Sequence, residues 1–200
     1  MILFFMQSYH SWIEVDVHSK GDVMNKGTLY FFTGLAGAGK TTIGGLFYQR
    51  LKEYNPDAIL IDGDLVRLEL GDSAPDGTVL IEDRYTTEAR KAGAWWTFQH
   101  CRDLTDQGKD IVLCSISMYH EVRAWSRENI ENYREIYVKV TWDTLYRRDQ
   151  KKLYSSKIKN VVGVDLPWDE PGHSSIVIQN DGQETPEEIV DRLVRFFGLE

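Results

Sequence analysis

Short apolar runs rich in β-branched and aromatic residues alternate along this chain with longer stretches of helical periodicity. Residues 28–33, 58–61, 111–116, 135–140 and 175–179 predict buried strands, each bounded by polar or turn-forming residues. Residues 40–53 predict a helix that carries Ile43, Leu46, Phe47 and Leu51 on one face. Residues 83–106 predict a longer helix ended by Gly108, and residues 120–131 a third. The last helix has the strongest local signals. Thr185 stands as N-cap, Pro186 at the first helical position and Glu188 where a capping box needs it. Ile189, Val190, Leu193, Val194 and Phe197 form its apolar stripe, and Gly198 ends it. Alternating strands and helices predict an α/β fold of three layers, a central parallel β-sheet with helices on both faces.

Two segments lack such a period. Residues 150–171 mix lysines, serines, glycine and prolines, and predict a lid loop that closes over a site. Residues 1–23 form an N-terminal extension whose structure the pattern leaves open, ahead of a domain over residues 24–200. Its apolar run at 2–6 is too short for the core of a signal peptide, and no basic residue precedes it.

Composition narrows the function. At 200 residues the chain has the length of one α/β domain. Its 42% hydrophobic and 27% charged content is that of a soluble protein. A formal net charge of -8 argues against nucleic acid as a partner, since such partners call for a basic face. It leaves room for one small phosphorylated ligand in a locally basic pocket. No run approaches the roughly 18 apolar residues of a membrane span, so no membrane partner is expected. Cys101 and Cys114 have no zinc-type spacing and lie in apolar stretches. They read as buried free thiols in a reducing, cytoplasmic setting.

The clearest chemistry follows the first strand. Gly34-Leu35-Ala36-Gly37-Ala38-Gly39-Lys40-Thr41 satisfies the Walker A pattern, with Thr42 next, and it sits between a strand and a helix as that pattern requires. Glycines let backbone N–H groups converge on phosphate oxygens, and the helix N-terminus adds positive potential. Lys40 is placed to reach the β- and γ-phosphates of ATP, and Thr41 to ligate Mg²⁺. A bare glycine-rich turn is the alternative.

A P-loop switch that hydrolyses its nucleotide is the competing class. Such proteins usually carry a metal-binding acid at the end of a neighbouring strand, and here the third strand ends Cys114-Ser115-Ile116-Ser117. The second strand instead leads into Asp62-Gly63-Asp64, with Arg67 a helical turn beyond. Transfer of a phosphoryl group to a hydroxyl needs a carboxylate near the acceptor and cations for an anionic substrate, and this cluster carries both. A helix cap with a surface arginine is its structural alternative.

From about residue 27 to the end, the chain resembles the adenylylsulfate (APS) kinases. Ile61-Asp62-Gly63-Asp64-Leu65-Val66-Arg67 is similar to their hydrophobic-Asp-Gly-Asp-Asn-Val-Arg. Asp83-Arg84 matches an Asp-Arg pair. Ile116-Ser117-Met118-Tyr119, with Arg123 and Arg127, resembles Ile-Ser-Pro-Tyr and its following arginines. Arg148-Asp149-Gln150-Lys151-Lys152-Leu153-Tyr154 resembles Arg-Asp-Pro-Lys-Gly-Leu-Tyr. Val162-Gly163-Val164-Asp165 and Pro167-Trp168-Asp169-Glu170-Pro171 complete the ordered set. The resemblance implies transfer of the ATP γ-phosphoryl to the ribose 3′-hydroxyl of a small nucleotide. Adenylylsulfate is the first acceptor it suggests, in sulfate assimilation, and a homodimer is compatible with it. Lys40 and Asp64 are the implied catalytic pair, with Asp64 on the acceptor side. Asp62, Arg67, Arg84, Ile116, Ser117 and Lys159 are the implied substrate contacts. Arg148 is placed against the ATP base.

The departures point to a second acceptor. Tyr85-Thr86-Thr87-Glu88-Ala89-Arg90 lacks the family's substrate-binding asparagine. Val79-Leu80-Ile81-Glu82 replaces the segment that supplies one phenylalanine against the substrate adenine, and Val161 replaces the lid phenylalanine on its other face. A smaller pyrimidine suits such a pocket. The branch that phosphorylates cytidine diphosphoramidate in capsule pathways is therefore the alternative reading.

Overall fold

The computed structural model describes residues 25–63, 87–149, 152–155, 159 and 161–199. The predicted extension at 1–23 and the first residues of the predicted 83–106 helix lie outside the described residues, as does part of the predicted lid.

Among the described residues, five strands build one sheet: β1 (Thr28–Thr33), β2 (Ile59–Asp62), β3 (Ile111–Cys114), β4 (Asn132–Lys139) and β5 (Ile176–Gln179). Every pairing is parallel, and the order is β2-β3-β1-β4-β5. Helices cover both faces, as the predicted three layers require. On one face lie α1 (Lys40–Tyr54) and the C-terminal helix α5 (Pro186–Phe197). On the other lie α2 (Thr87–Asp106) and α3 (His120–Asn129). A short α4 (Trp142–Arg148) follows β4.

β1 shows why the sequence folds this way. Successive side chains of a strand point to opposite faces, so a strand covered on both sides must be apolar throughout. Leu29 and Phe31 pack with Phe98, Cys101 and Val122, while Tyr30 and Phe32 pack with Ile43, Phe47, Ile189 and Leu193. Phe31 and Phe32 are fully buried, each contributing about 1.5–3 kcal/mol by burial. The Thr185 capping box, Pro186 and Gly198 end residues of α5 form as predicted.

Some boundaries differ from the pattern. β3 stops at Cys114 because the chain then leaves the sheet: the Thr33 hydroxyl donates to Ile116 O at 2.7 Å, and Ser117 takes a left-handed φ of 37°. β4 starts earlier than predicted, since Thr28 pairs with Asn132 and Leu29 with Tyr133. The pattern gives no sign of α4, a short helix whose Trp142 and Tyr146 are exposed and blur its period. Thr141 caps it by accepting from Thr144 N. No helix among the described residues is long and apolar enough to cross a membrane.

Candidate active site

Parallel pairing brings the C-terminal ends of all five strands to one edge, where an α/β sheet places its ligands. β1 delivers the glycine-rich loop. Gly34 has φ 146°, and a Cβ there would meet Val138 O at 2.3 Å. Gly39, the N-cap of α1, has φ 101°, and a Cβ there would meet Asn180 Nδ2 at 2.5 Å. A side chain is excluded at both positions by conformation and by space. The first turn of α1 has neither a side-chain cap nor an acid. Its leading amides and the helix dipole therefore face an open cleft lined by Gly37, Lys40, Thr41, Asp62, Ser115 and Ile116. The cradle fits a polyphosphate. Lys40 Nζ donates to Leu35 O at 2.9 Å, which folds its ammonium back over the loop.

β2 ends on Asp62, in register with Cys114 at the end of β3. Across the cleft the Thr41 hydroxyl donates to Asp62 Oδ2 at 3.1 Å. The sequence reading assigns Asp62 to the acceptor; its carboxylate lies against the expected metal-binding hydroxyl. Cys114 is buried behind this pair, and its thiol donates to Lys40 O at 3.5 Å. Burial, with the Asp62 charge adding to it, pushes that thiol up to about 12. No group of three or more His, Cys, Asp or Glu side chains able to hold a metal occurs among the described residues. Mg²⁺ is commonly held by one or two protein oxygens together with substrate phosphates, and the Thr41 hydroxyl beside Asp62 offers such an oxygen.

The far side of the loop is tied by Arg148, which the sequence reading placed at the ATP base, and by Asn180 and Tyr154, to which it gave no role. Asn180, just past β5, donates from Nδ2 to Ala38 O at 2.7 Å. Its own carbonyl accepts from Arg148 Nη2 at 2.7 Å, and Arg148 Nη1 reaches Gly37 O at 3.4 Å. Arg148 thus stands at the end of α4 beside the loop. The Tyr154 hydroxyl donates to Ala36 O at 2.7 Å. Burial pushes that phenol up to about 12, so it stays a donor at neutral pH. Asp149 turns the chain toward it: hydrogen bonds from Ser155 and from the Tyr154 amide hold its carboxyl below the usual range. Nothing local in the sequence marks Asn180, because its role arises from β5 lying beside β4.

Of the acceptor-side residues, Ile116 lines the cleft and Ser117 is buried just beyond it. The Ser117 hydroxyl has no hydrogen-bond partner among the described residues. Lys159 is exposed. Asp64, Arg67 and Arg84 lie outside the described residues. Val161 and Val162 of the predicted lid are buried, and Glu170 accepts from Tyr137 and Lys139, at 3.1 and 2.5 Å. The second half of that segment is thereby anchored to β4. Trp95 packs into the α2–α3 core, whereas Trp96 stacks on His100.

A family model for adenylylsulphate kinase matches residues 26–179. A cytidine diphosphoramidate kinase of Campylobacter jejuni is 35% identical over 179 residues, covering 88% of this chain and 99% of its own length. An adenylyl-sulfate kinase of Picosynechococcus sp. is 32% identical over 169 residues, covering 82% of this chain and 90% of its own. Among solved structures, the Mycobacterium tuberculosis APS kinase in complex with AMPPNP and APS shares the fold, with a TM-score of 0.72 at 22% identity over 86% of this chain and 98% of that one.

Proposed function

The chain belongs to the adenylylsulphate kinase family of P-loop kinases, and on that premise we propose that it transfers the γ-phosphoryl of Mg-ATP to the ribose 3′-hydroxyl of a pyrimidine nucleotide, cytidine diphosphoramidate. The observation that carries this choice is the near full-length similarity to a cytidine diphosphoramidate kinase. The residues support it. Val161 and the segment at 79–82 carry neither ring of an adenine sandwich, and each lost stacking contact is worth about 1–3 kcal/mol. A pyrimidine has less ring area to lose.

In this reading residues 34–42 bind the ATP phosphates through backbone amides, and Arg148 lies against the base. Thr41, with its hydroxyl oriented by Asp62, would hold a magnesium ion, which would neutralise charge on the phosphates. Lys40 leaves the Leu35 carbonyl for the β- and γ-phosphates. Arg67 and Arg84 hold the anionic acceptor, with Ile116 and Ser117 along its side and Lys159 among the cations of the closing segment. Asp64 takes the proton of the 3′-hydroxyl as its oxygen bonds to the γ-phosphorus. The bond from that phosphorus to the β,γ-bridging oxygen breaks, and ADP leaves. The buried, free thiols support a cytoplasmic setting.

Turnover of ATP with cytidine diphosphoramidate and with adenylylsulfate, side by side, tests the proposal. We expect kcat/KM for cytidine diphosphoramidate to exceed that for adenylylsulfate by about 5- to 150-fold, the range one lost stacking contact spans. A preference for adenylylsulfate would restore the ordinary family reading. Turnover of ATP alone, unaffected by either acceptor, would favour a nucleotide switch.

A further inference from the structure

Arg123 is among the most deeply buried charges of the described chain, 2% exposed on the first turn of α3. A buried guanidinium is costly unless its donors are used, and burial lowers its affinity for the proton. The nearby buried carboxylate, Glu135, takes donors from Arg127 Nη2 and the Tyr133 hydroxyl, each at 2.9 Å. Arg123 directs its own donors to main-chain carbonyls. Nη1 reaches Ser117 O at 2.7 Å, and Nη2 reaches Asp169 O at 2.6 Å. The first carbonyl belongs to the turn after β3, where Ser117 is held in a left-handed conformation next to Ile116 of the cleft. The second belongs to the segment that runs from the lid back to β5. Trp168 of that segment lies over the guanidinium, with its ring centre 5.8 Å from Cζ. Trp168 and Leu166 in turn join one apolar cluster with Met118 of the turn and Leu35 of the phosphate loop.

We infer that Arg123 is a positioning residue that clamps the acceptor-side turn at Ile116–Ser117 to the segment at 166–169. It does so by bridging the two backbones through one planar guanidinium. It touches neither substrate. It fixes the height of the Ser117 turn against the segment that closes beside it, and so sets the acceptor subsite, while the phosphate cradle shares an apolar contact with it at Leu35 but keeps separate hydrogen-bonded ties through Asn180 and Tyr154. Lysine cannot replace it: one ammonium on a flexible stem does not present the rigid fork that reaches two carbonyls at once.

The assignment of the clamp to acceptor binding rests on the proposed kinase reading, so the test includes a measurement independent of it. Arg123→Lys and Arg123→Met are compared with the parent protein, using whichever of cytidine diphosphoramidate and adenylylsulfate the parent phosphorylates. We expect KM for the acceptor to rise by about 10-fold or more in both variants, as small misplacements of reacting groups do. KM for ATP stays within about 3-fold of the parent, because the cradle has separate ties. Amide hydrogen exchange speeds up together over 115–119 and 166–170 in each variant, while 34–42 is unchanged. An unchanged acceptor KM, an equal rise in both KM values, or faster exchange in only one of the two segments overturns the inference. So does a failure of both variants to fold, which makes Arg123 a stability element only. If the parent phosphorylates neither acceptor, the kinase reading falls, and the exchange measurement alone still decides whether Arg123 joins the two segments.

Discussion

The Thr41 hydroxyl donates to Asp62 Oδ2 across 3.1 Å, joining the first turn of α1 to the last residue of β2. A carboxylate that orients a metal-binding hydroxyl acts on the metal through it, and removing such a partner typically costs 10–100-fold in metal affinity or activity. Asp62→Asn is expected to lower kcat by about 10–100-fold and to raise the magnesium concentration for half-maximal rate. Binding of ATP in the presence of a chelator stays near the parent value. An unaltered magnesium dependence would return Asp62 to the acceptor side.

Lys40 rests on Leu35 O and faces the phosphate cradle. Lys40→Ala is expected to lose about 10²–10³ in kcat, the cost of one charge-stabilising donor. The melting temperature of the ligand-free protein should move little. Full turnover in a folded Lys40→Ala protein would refute the nucleotide site.

Asp64→Asn keeps the shape of the side chain and removes its charge. As general base, Asp64 should account for about 10²–10⁴ in rate. Transfer to the acceptor is expected to fall by that order, while the dissociation constant for ATP, measured by calorimetry, remains unchanged. A near-parental rate would make Asp64 a helix cap.

Asn180 satisfies a buried carbonyl of the phosphate loop. Asn180→Leu leaves Ala38 O without its donor, which costs about 1–3 kcal/mol. A lower denaturation midpoint together with weaker ATP binding is expected. Thr185→Ala serves as the contrast: it removes the α5 cap, costs about 0.5–2 kcal/mol and leaves kcat unchanged.

Alkaline pH probes the wall behind the site. Cys114 titrates near 12 in the folded protein, against an ordinary thiol value of 9.0, because it is buried beside the Asp62 charge. The unfolded chain therefore loses this proton first. The contribution to stability is full below pH 9.0 and declines as the pH climbs toward 12. Denaturant midpoints measured across that range should fall with pH, and Cys114→Ala should flatten the slope. An unaltered slope would show that other groups carry the alkaline loss.

The sequence makes the local features legible and the lateral ones obscure. The glycine loop, the α5 capping box and the two-faced β1 each depend on near neighbours, so pattern alone reveals them. Asp62 meets Thr41 only because β2 lies outside β3 and β3 beside β1, an order that no local period encodes. Asn180 and Arg123 act on backbone carbonyls far away in sequence, and a carbonyl has no signature in the residue that bears it. The roughly two turns of α4 carry too little periodicity to read, and its exposed aromatics run against the usual polar face.

The bond from Asn180 to Ala38 spans 142 residues and fastens the earliest part of the domain with one of the latest. On the ribosome, the glycine loop emerges long before the edge strand that carries its tie, and synthesis proceeds at about 5–20 residues per second. A nascent chain stalled before residue 176 would have its Walker motif and yet lack the strand that holds that motif in shape. On the proposed reading, nucleotide affinity would be acquired only when β5 docks against β4. Occupancy by ATP would then report that β5 has docked.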